Sequence, residues 1–311
     1  MPARFRRWFD PLSLQRMGLS WLGRVLTYLV LAEVTYVFLY PVVYMASTSF
    51  KSPADLYDLT VYWIPTELYV AHYEVALEAM NYFHSLRNSV ITSLPAAIGQ
   101  VLICSFVAYG FARIPFPGRD LLFLLVIFTF IIPPQTVVVP LFFLYLELGW
   151  LNTYWPWIAP AWLAHGVKGA IFVLIFRQFF RGLPAELEDA AFVDGAGRLR
   201  VFWQIILPLA SPAILVVFLF SLVWNWNDVF MPTVFLHGGL DDATLPSRLL
   251  LIVSYFFSQG SGKGEGVAHG VHVTDGLMMA ATVLVVLPQI VIYVFLQRHF
   301  VESIDRTGLV E

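Results

Sequence analysis

The sequence predicts an all-α, polytopic membrane protein that crosses the bilayer as six transmembrane helices and keeps both termini in the cytoplasm. Three observations lead there. Of 311 residues, 59% are apolar and 13% charged, against roughly 45–50% and 25% in an ordinary soluble domain. The apolar residues gather in six runs, 25–46, 88–112, 121–146, 155–176, 207–227 and 276–297, each near the ~20 residues that a helix needs to cross a ~30 Å bilayer core. With the N-terminus inside, thirteen arginines fall in cytoplasmic segments and only Lys51, Arg87, Arg248 and Lys263 fall outside, a clear positive-inside bias. Strings such as LLFLLVIFTFII and AILVVFLFSLVW are continuously apolar, whereas barrel strands would alternate.

Taken in order, residues 1–24 form a cytoplasmic N-terminal segment, basic through Arg4, Arg6, Arg7, Arg16 and Arg24. The run that follows is longer than the 7–15-residue apolar core of a secretory signal, so it reads as an uncleaved first helix. Residues 25–297 make up the transmembrane domain. A long outer loop at about 47–87 joins spans one and two. Span two carries the single cysteine, Cys104, which excludes an intrachain disulfide and a cysteine-based zinc site. The link IPFPGRD, 114–120, is a turn by its prolines and glycine. Span three contains Pro133, Pro134 and Pro140, and span four contains Lys168. A second long outer loop, about 228–275, precedes span six, and residues 298–311 form a cytoplasmic tail.

Other function classes fall away. A formal charge of −3 does not suit nucleic acid, which calls for a concentrated basic patch. No G-x-S-x-G elbow, paired aspartate or H-E-x-x-H helix supplies an intramembrane enzyme site. The nearest approach to a P-loop, residues 260–264, lacks Ser or Thr after Lys263, lies on the outer side and reads as a flexible Gly-Ser linker. His269 and His272, with Asp275 three residues on, lack a further fixed ligand, so no metal is expected.

The cytoplasmic stretch LPAELEDAAFVDGAGRLRVFWQIILP reads as two short helices around a turn. Pro184 suits a first helical turn, Glu186, Glu188 and Asp189 favour the positive end of the helix dipole, and Asp194-Gly195 supplies a reversal. On composition alone, an amphipathic helix lying on the membrane fits as well.

The spacing Asp189-Ala190-Ala191, Gly195, then Ile205, Leu207 and Pro208 resembles the EAA loop of the permease subunits of ABC importers. The strings FRQFFRGLPAELEDAAFVDGA, WNWNDVFMP and LQRHFVES are similar to carbohydrate-uptake permeases, of the maltose-type partner with six spans. Asp189 stands where that family usually has Glu. The resemblance implies that the loop, about 181–206, docks as a coupling helix on a cytoplasmic ATPase, with Glu188, Asp189, Ala190, Ala191, Asp194 and Gly195 at the contact. It implies as partners a second permease chain, two ATPase subunits and an extracytoplasmic solute-binding protein, which the loop at 237–274 would touch. The partner ATPases would use ATP and Mg; this chain would bind no cofactor and catalyse nothing itself. The location implied is the plasma (inner) membrane of a prokaryote, and the cargo a sugar or oligosaccharide. A non-sugar polar solute such as a glycerophosphodiester, or an ion-coupled secondary transporter working alone, stand as alternatives.

Polar groups inside the spans mark a candidate translocation path. A charge at the bilayer centre costs about 3 kcal/mol or more, so either the helix breaks at Lys168 and its side chain reaches water, or Lys168 lines the route, with Glu33 a possible counter-ion. Pro133 and Pro134 free backbone acceptors beside Gln135, through a structural kink or toward a cavity. The cluster Trp224, Asn225, Asn227 and Asp228 suits a sugar, with apolar faces and a hydroxyl rim, and equally an interfacial aromatic belt. Spans three, four and five are expected to line one cavity from which Gln135, Lys168 and Asn225 are accessible.

Overall fold

The structure, a computed structural model, describes residues 11–166, 168–236, 242–259 and 274–307. Among them all regular structure is helical and no strand occurs. The chain divides into two compact units, Met1–Tyr73 with Thr274–Val283, and Glu74–Val273 with Leu284–Glu311.

In the first unit, α1 (Pro11–Ser49) contains the apolar crossing Gly23–Ser49. The chain then turns back through α2 (Pro53–Tyr57), where Ser52 Oγ accepts from Asp55 N at 3.2 Å and Pro53 occupies the first turn, the position where a missing N–H costs nothing. The helix α3 (Ala71–Ala79) leads into the second unit.

The second unit is built around α4 (Tyr82–Arg113). The buried residues of α4 are small or polar, among them Ser89, Thr92, Ser93, Ala96, Ala97, Gly99, Cys104, Ser105 and Ala108, while Leu94, Ile98 and Phe106 are exposed. This pattern suits helices in lipid, where burial of grease against grease gains little and close approach of backbones decides packing. Following α4 come α5 (Arg119–Ile131), α6 (Pro134–Glu147), α7 (Trp155–Ala161) and α8 (Gly169–Gly182). Then α9 (Glu186–Val193), α10 (Arg198–Val201), a π turn at Phe202–Ile206 and α11 (Leu207–Leu209) form the link to the next long helix. The rest comprises α12 (Ser211–Trp226), α13 (Phe230–Phe235), α14 (Leu245–Gln259) and α15 (Asp275–Thr307), the last shared between the units. α4 packs most extensively on α8 and α12, and Phe172, Phe176, Phe180, Phe202 and Ile206 fill the shared core.

The described residues are all-helical, as expected, and three of the six runs expected to cross are bent or interrupted. Among the described residues, three helices are long and apolar enough to cross, Gly23–Ser49, Tyr82–Arg113 and Asp275–Arg298, or up to five crossings if each of two bent pairs counts as one. The run 121–146 bends by 97° between α5 and α6. Ile132 and Pro133, each preceding a proline, are both extended, with ψ of 118° and 134°, because the following ring clashes with a helical backbone. The run 207–227 is bent by 78° before α12; Pro208 and Pro212 withdraw two N–H groups from the ladder there. The run 155–176 is no continuous helix: α7 and α8 are separated by 162–168, where Ala164, Gly166 and Lys168 have φ of 59°, 81° and 62°. Trp162 seals this break against α4, its Nε1 donating to Pro95 O at 3.1 Å. A Cβ on Gly99 would lie 2.6 Å from that indole, so the approach requires glycine.

Candidate functional site

The link between α8 and α12 begins where Leu183 leaves α8. Helix α9 ends at a left-handed Gly195, φ 81°, with Ala196 N donating to Ala191 O at 2.9 Å and Gly195 N to Phe192 O at 3.0 Å. This paired capping at a glycine satisfies carbonyls that a helix end leaves open, and it makes the expected reversal between two short helices. The two faces of α9 differ. Glu188 is buried: its Oε1 forms an ion pair with Arg113 Nε at 2.8 Å and its Oε2 accepts from Tyr109 Oη at 3.0 Å. Arg113, at the C-terminal end of α4 where a cation complements the helix dipole, also donates through Nη2 to Leu183 O. Ala191 is buried in the core with Tyr109 and Phe202. Asp189, Ala190, Asp194 and Gly195 are exposed, beside Val193 at 87%, Leu199 at 63% and Trp203 at 50% exposure. Glu188, grouped with the docking residues from the sequence, therefore ties α9 to its own chain and is no part of the exposed face.

The residues expected along a path fall into separate environments. Gln135 is exposed in the first turn of α6. Lys168 precedes α8, exposed, with its ammonium 4.9 Å from the centre of the Phe130 ring in α5. The helix does break at Lys168, as one of the two expected readings has it. Trp224 is half-buried and stacks on Phe172 and Phe220, ring centres 5.6 Å away in each case. Asn225, expected to be accessible, is buried: its Nδ2 donates to Gln100 Oε1 at 3.2 Å and to Ser221 O at 2.8 Å. Ser221 Oγ donates to the same Gln100 oxygen, and Gln100 Nε2 donates to His165 O at 3.1 Å. Burial among greasy helices makes an unpaired amide costly, so this cluster closes on itself. Asn227 exchanges two amide hydrogen bonds with Gln289 of α15, at 3.3 and 3.2 Å. Asp228 caps α13, with Oδ1 accepting from Phe230 N and Met231 N at 3.0 and 3.2 Å. Residues 260–264, His269 and His272 lie outside the described residues.

Residues 100–306 match the family described as the binding-protein-dependent transport system inner membrane component. The chain belongs to this family. It is 32% identical to an osmoprotective compounds uptake permease of Synechocystis over 79% of this chain and 77% of that one. It is 29% identical to an arabinooligosaccharides transport permease of Halalkalibacterium halodurans over 89% and 93%. The fold is that of a crystal structure of a bacterial ABC transporter involved in the import of the acidic polysaccharide alginate, with a TM-score of 0.70, 20% identity and coverage of 90% of this chain and 96% of that one.

The chain is thus the permease of an ABC importer, a multi-pass component of the plasma membrane and a transport component in place of an enzyme. Membership decides against a solitary ion-coupled carrier. Sequence reasoning missed Arg113, Tyr109 and Gln100 in this permease. A signal was there for Gln100, an amide within an apolar run, which must find partners or water. Nothing marked Arg113 beyond its count among the inner charges, because its partner is 75 positions away in sequence, the difference between 188 and 113.

Proposed function

We propose that this permease translocates a sugar or oligosaccharide, received from an extracytoplasmic solute-binding protein and moved by alternating access as two partner ATPases close on ATP and Mg. A second permease chain completes the pathway, and this chain has no nucleotide site of its own. The topology proposed is six crossings with both termini cytoplasmic, α7 and α8 together making the broken fourth. The observation that carries the reading is the face of α9, where Asp189, Ala190, Asp194 and Gly195 are exposed beside exposed apolar side chains, with the helix anchored behind by Glu188. Arabinooligosaccharide and alpha-glucoside permeases among the relatives support a carbohydrate cargo. The osmoprotectant relative favours a second reading, a small polar solute.

The route proposed runs past Gln135, Lys168, Trp224, Asn227 and Asp228, with Asn225 set behind it. Reconstitution in proteoliposomes tests the whole reading: a partner binding protein, screened by thermal shift against oligosaccharides, glycerophosphodiesters and compatible solutes, should stimulate ATP hydrolysis when loaded with its ligand. A chain that purifies without an ATPase, or uptake driven by an ion gradient alone, overturns the proposal.

A further inference from the structure

The segment that follows α1 is a cinched loop. Lys51, buried, donates through Nζ to Val61 O and Tyr62 O, both at 2.9 Å, and Ser47 Oγ donates to Trp63 O. Tyr69 N returns to Phe50 O at 3.0 Å. Across the loop, Asp55 accepts from Thr66 through N at 3.0 Å and Oγ1 at 2.6 Å. Held in this way, it leaves large apolar side chains open: Leu59 is 95% exposed, Tyr57 84%, Ile64 83%, Leu68 74% and Tyr62 69%. Single exposed apolar residues are ordinary, but a group of this kind in a short, tightly bonded segment marks a contact surface.

Its depth identifies the partner. The Trp63 ring lies edge-on to Tyr40 of α1, centres 5.2 Å apart, and Tyr40 continues a ladder with Tyr36 at 5.9 Å and Tyr44 at 6.3 Å. Arg24 marks the charged near end of the crossing. At ~1.5 Å per residue, Tyr40 and Tyr44 stand about 24 and 30 Å along the axis from it, which is the far boundary of a ~30 Å hydrocarbon core. Tyrosine and tryptophan are enriched at that boundary, where an apolar ring and a polar tip are both accommodated. The loop is therefore drawn back along α1 to the level where head groups meet acyl chains.

We propose that residues 57–68 form a foot resting in the lipid head-group layer at the C-terminal end of α1, with Tyr57, Leu59, Tyr62 and Ile64 against the acyl boundary. The partner is the bilayer surface, and the carboxylates of Asp55 and Asp58 are taken up within the loop by Thr66 and Thr60. The foot gives the first crossing a second anchor, fixing the depth of a helix that is unburied along its apolar window.

The test uses the full-length chain purified with its partner subunits and placed in lipid nanodiscs. With Cys104→Ala as background, Leu59→Cys carries an environment-sensitive fluorophore; Ile64→Cys gives a second, independent site. Three quenchers are compared: a phosphatidylcholine with a nitroxide on its head group, one with a nitroxide deep in its acyl chain, and iodide in the water. The head-group nitroxide should quench at least twofold more than either of the others at both sites. Iodide quenching equal to that of a freely exposed label, or protection from lipid nitroxides and iodide alike, overturns the proposal, the first by placing the loop in water and the second by placing protein over it.

Discussion

Glu188→Ala removes the carboxylate that Arg113 meets at 2.8 Å and Tyr109 at 3.0 Å, leaving a guanidinium without its counter-charge and a phenol without its acceptor. Removing one member of a buried ion pair costs about 3–5 kcal/mol. The Arg113 side chain keeps 15% exposure and that of Glu188 7%, so residual hydration puts the effect near the lower end, about 3 kcal/mol. A 1.4 kcal/mol change is tenfold, and the docked state of α9 should weaken about 100-fold. Glu188→Gln keeps its one oxygen for Arg113 and turns its amide nitrogen, a donor, to the Tyr109 oxygen; it loses the charge pairing, about 1 kcal/mol or roughly fivefold. Hydrogen exchange of the 186–196 backbone, followed by mass spectrometry on the assembled transporter, reads both values as faster exchange. The double variant Arg113→Met with Glu188→Leu, which buries apolar groups in place of the pair, should regain most of the protection. Uptake should fall in the same order while the subunits still co-purify. Exchange in Glu188→Ala within twofold of the parent would refute the claim that this pair holds α9 to α4.

At Gly195 a Cβ meets nothing within 4 Å, yet φ is 81°, so Gly195→Ala should cost only the left-handed backbone, about 1–2 kcal/mol, and Gly195→Asn less; equal melting losses for the two would defeat the backbone argument. Gly195→Trp should lose more uptake than Gly195→Ala at similar stability, since its extra bulk lies on the exposed face. Gly99→Ala drives a methyl into the Trp162 indole and should lower the melting temperature by the equivalent of about 1–3 kcal/mol; adding Trp162→Leu should recover part of it, and no recovery would mean that the ring is not the obstacle. Hydrogen bonds from Thr66 hold the Asp55 carboxyl below the usual carboxylate range. A folded pKa below the unfolded one stabilises the 52–66 loop at pH above the ordinary carboxylate value, near 4, and that contribution is lost as pH falls toward the folded pKa. Exchange in 52–66 should thus be protected equally at pH 5 and 7, weaken below about 4, and show a smaller pH step in Thr66→Val, which keeps the backbone donor to Asp55.

Composition and run length determined the solvent of this protein and its helical class: Gly23–Ser49, Tyr82–Arg113 and Asp275–Arg298 are legible because a lipid-crossing helix needs only length and grease. The reversal at Asp194-Gly195 was legible too, since a left-handed residue between helices calls for glycine and the EAA-like spacing surrounds it. The prolines at 133 and 134 announced a break, although not its 97° bend, which depends on what the two halves pack against. Three decisions belonged to tertiary structure alone. The break at 162–168 places the non-glycine residues Ala164 and Lys168 in left-handed conformations, which no local propensity favours; Trp162 against Gly99 and His165 O against Gln100 hold them there. Asn225 faces inward because Gln100 and Ser221 supply its partners. Of the two adjacent acids Glu188 and Asp189, one is buried and one exposed, because Arg113 ends α4 beneath the first, and successive residues on a helix point about 100° apart.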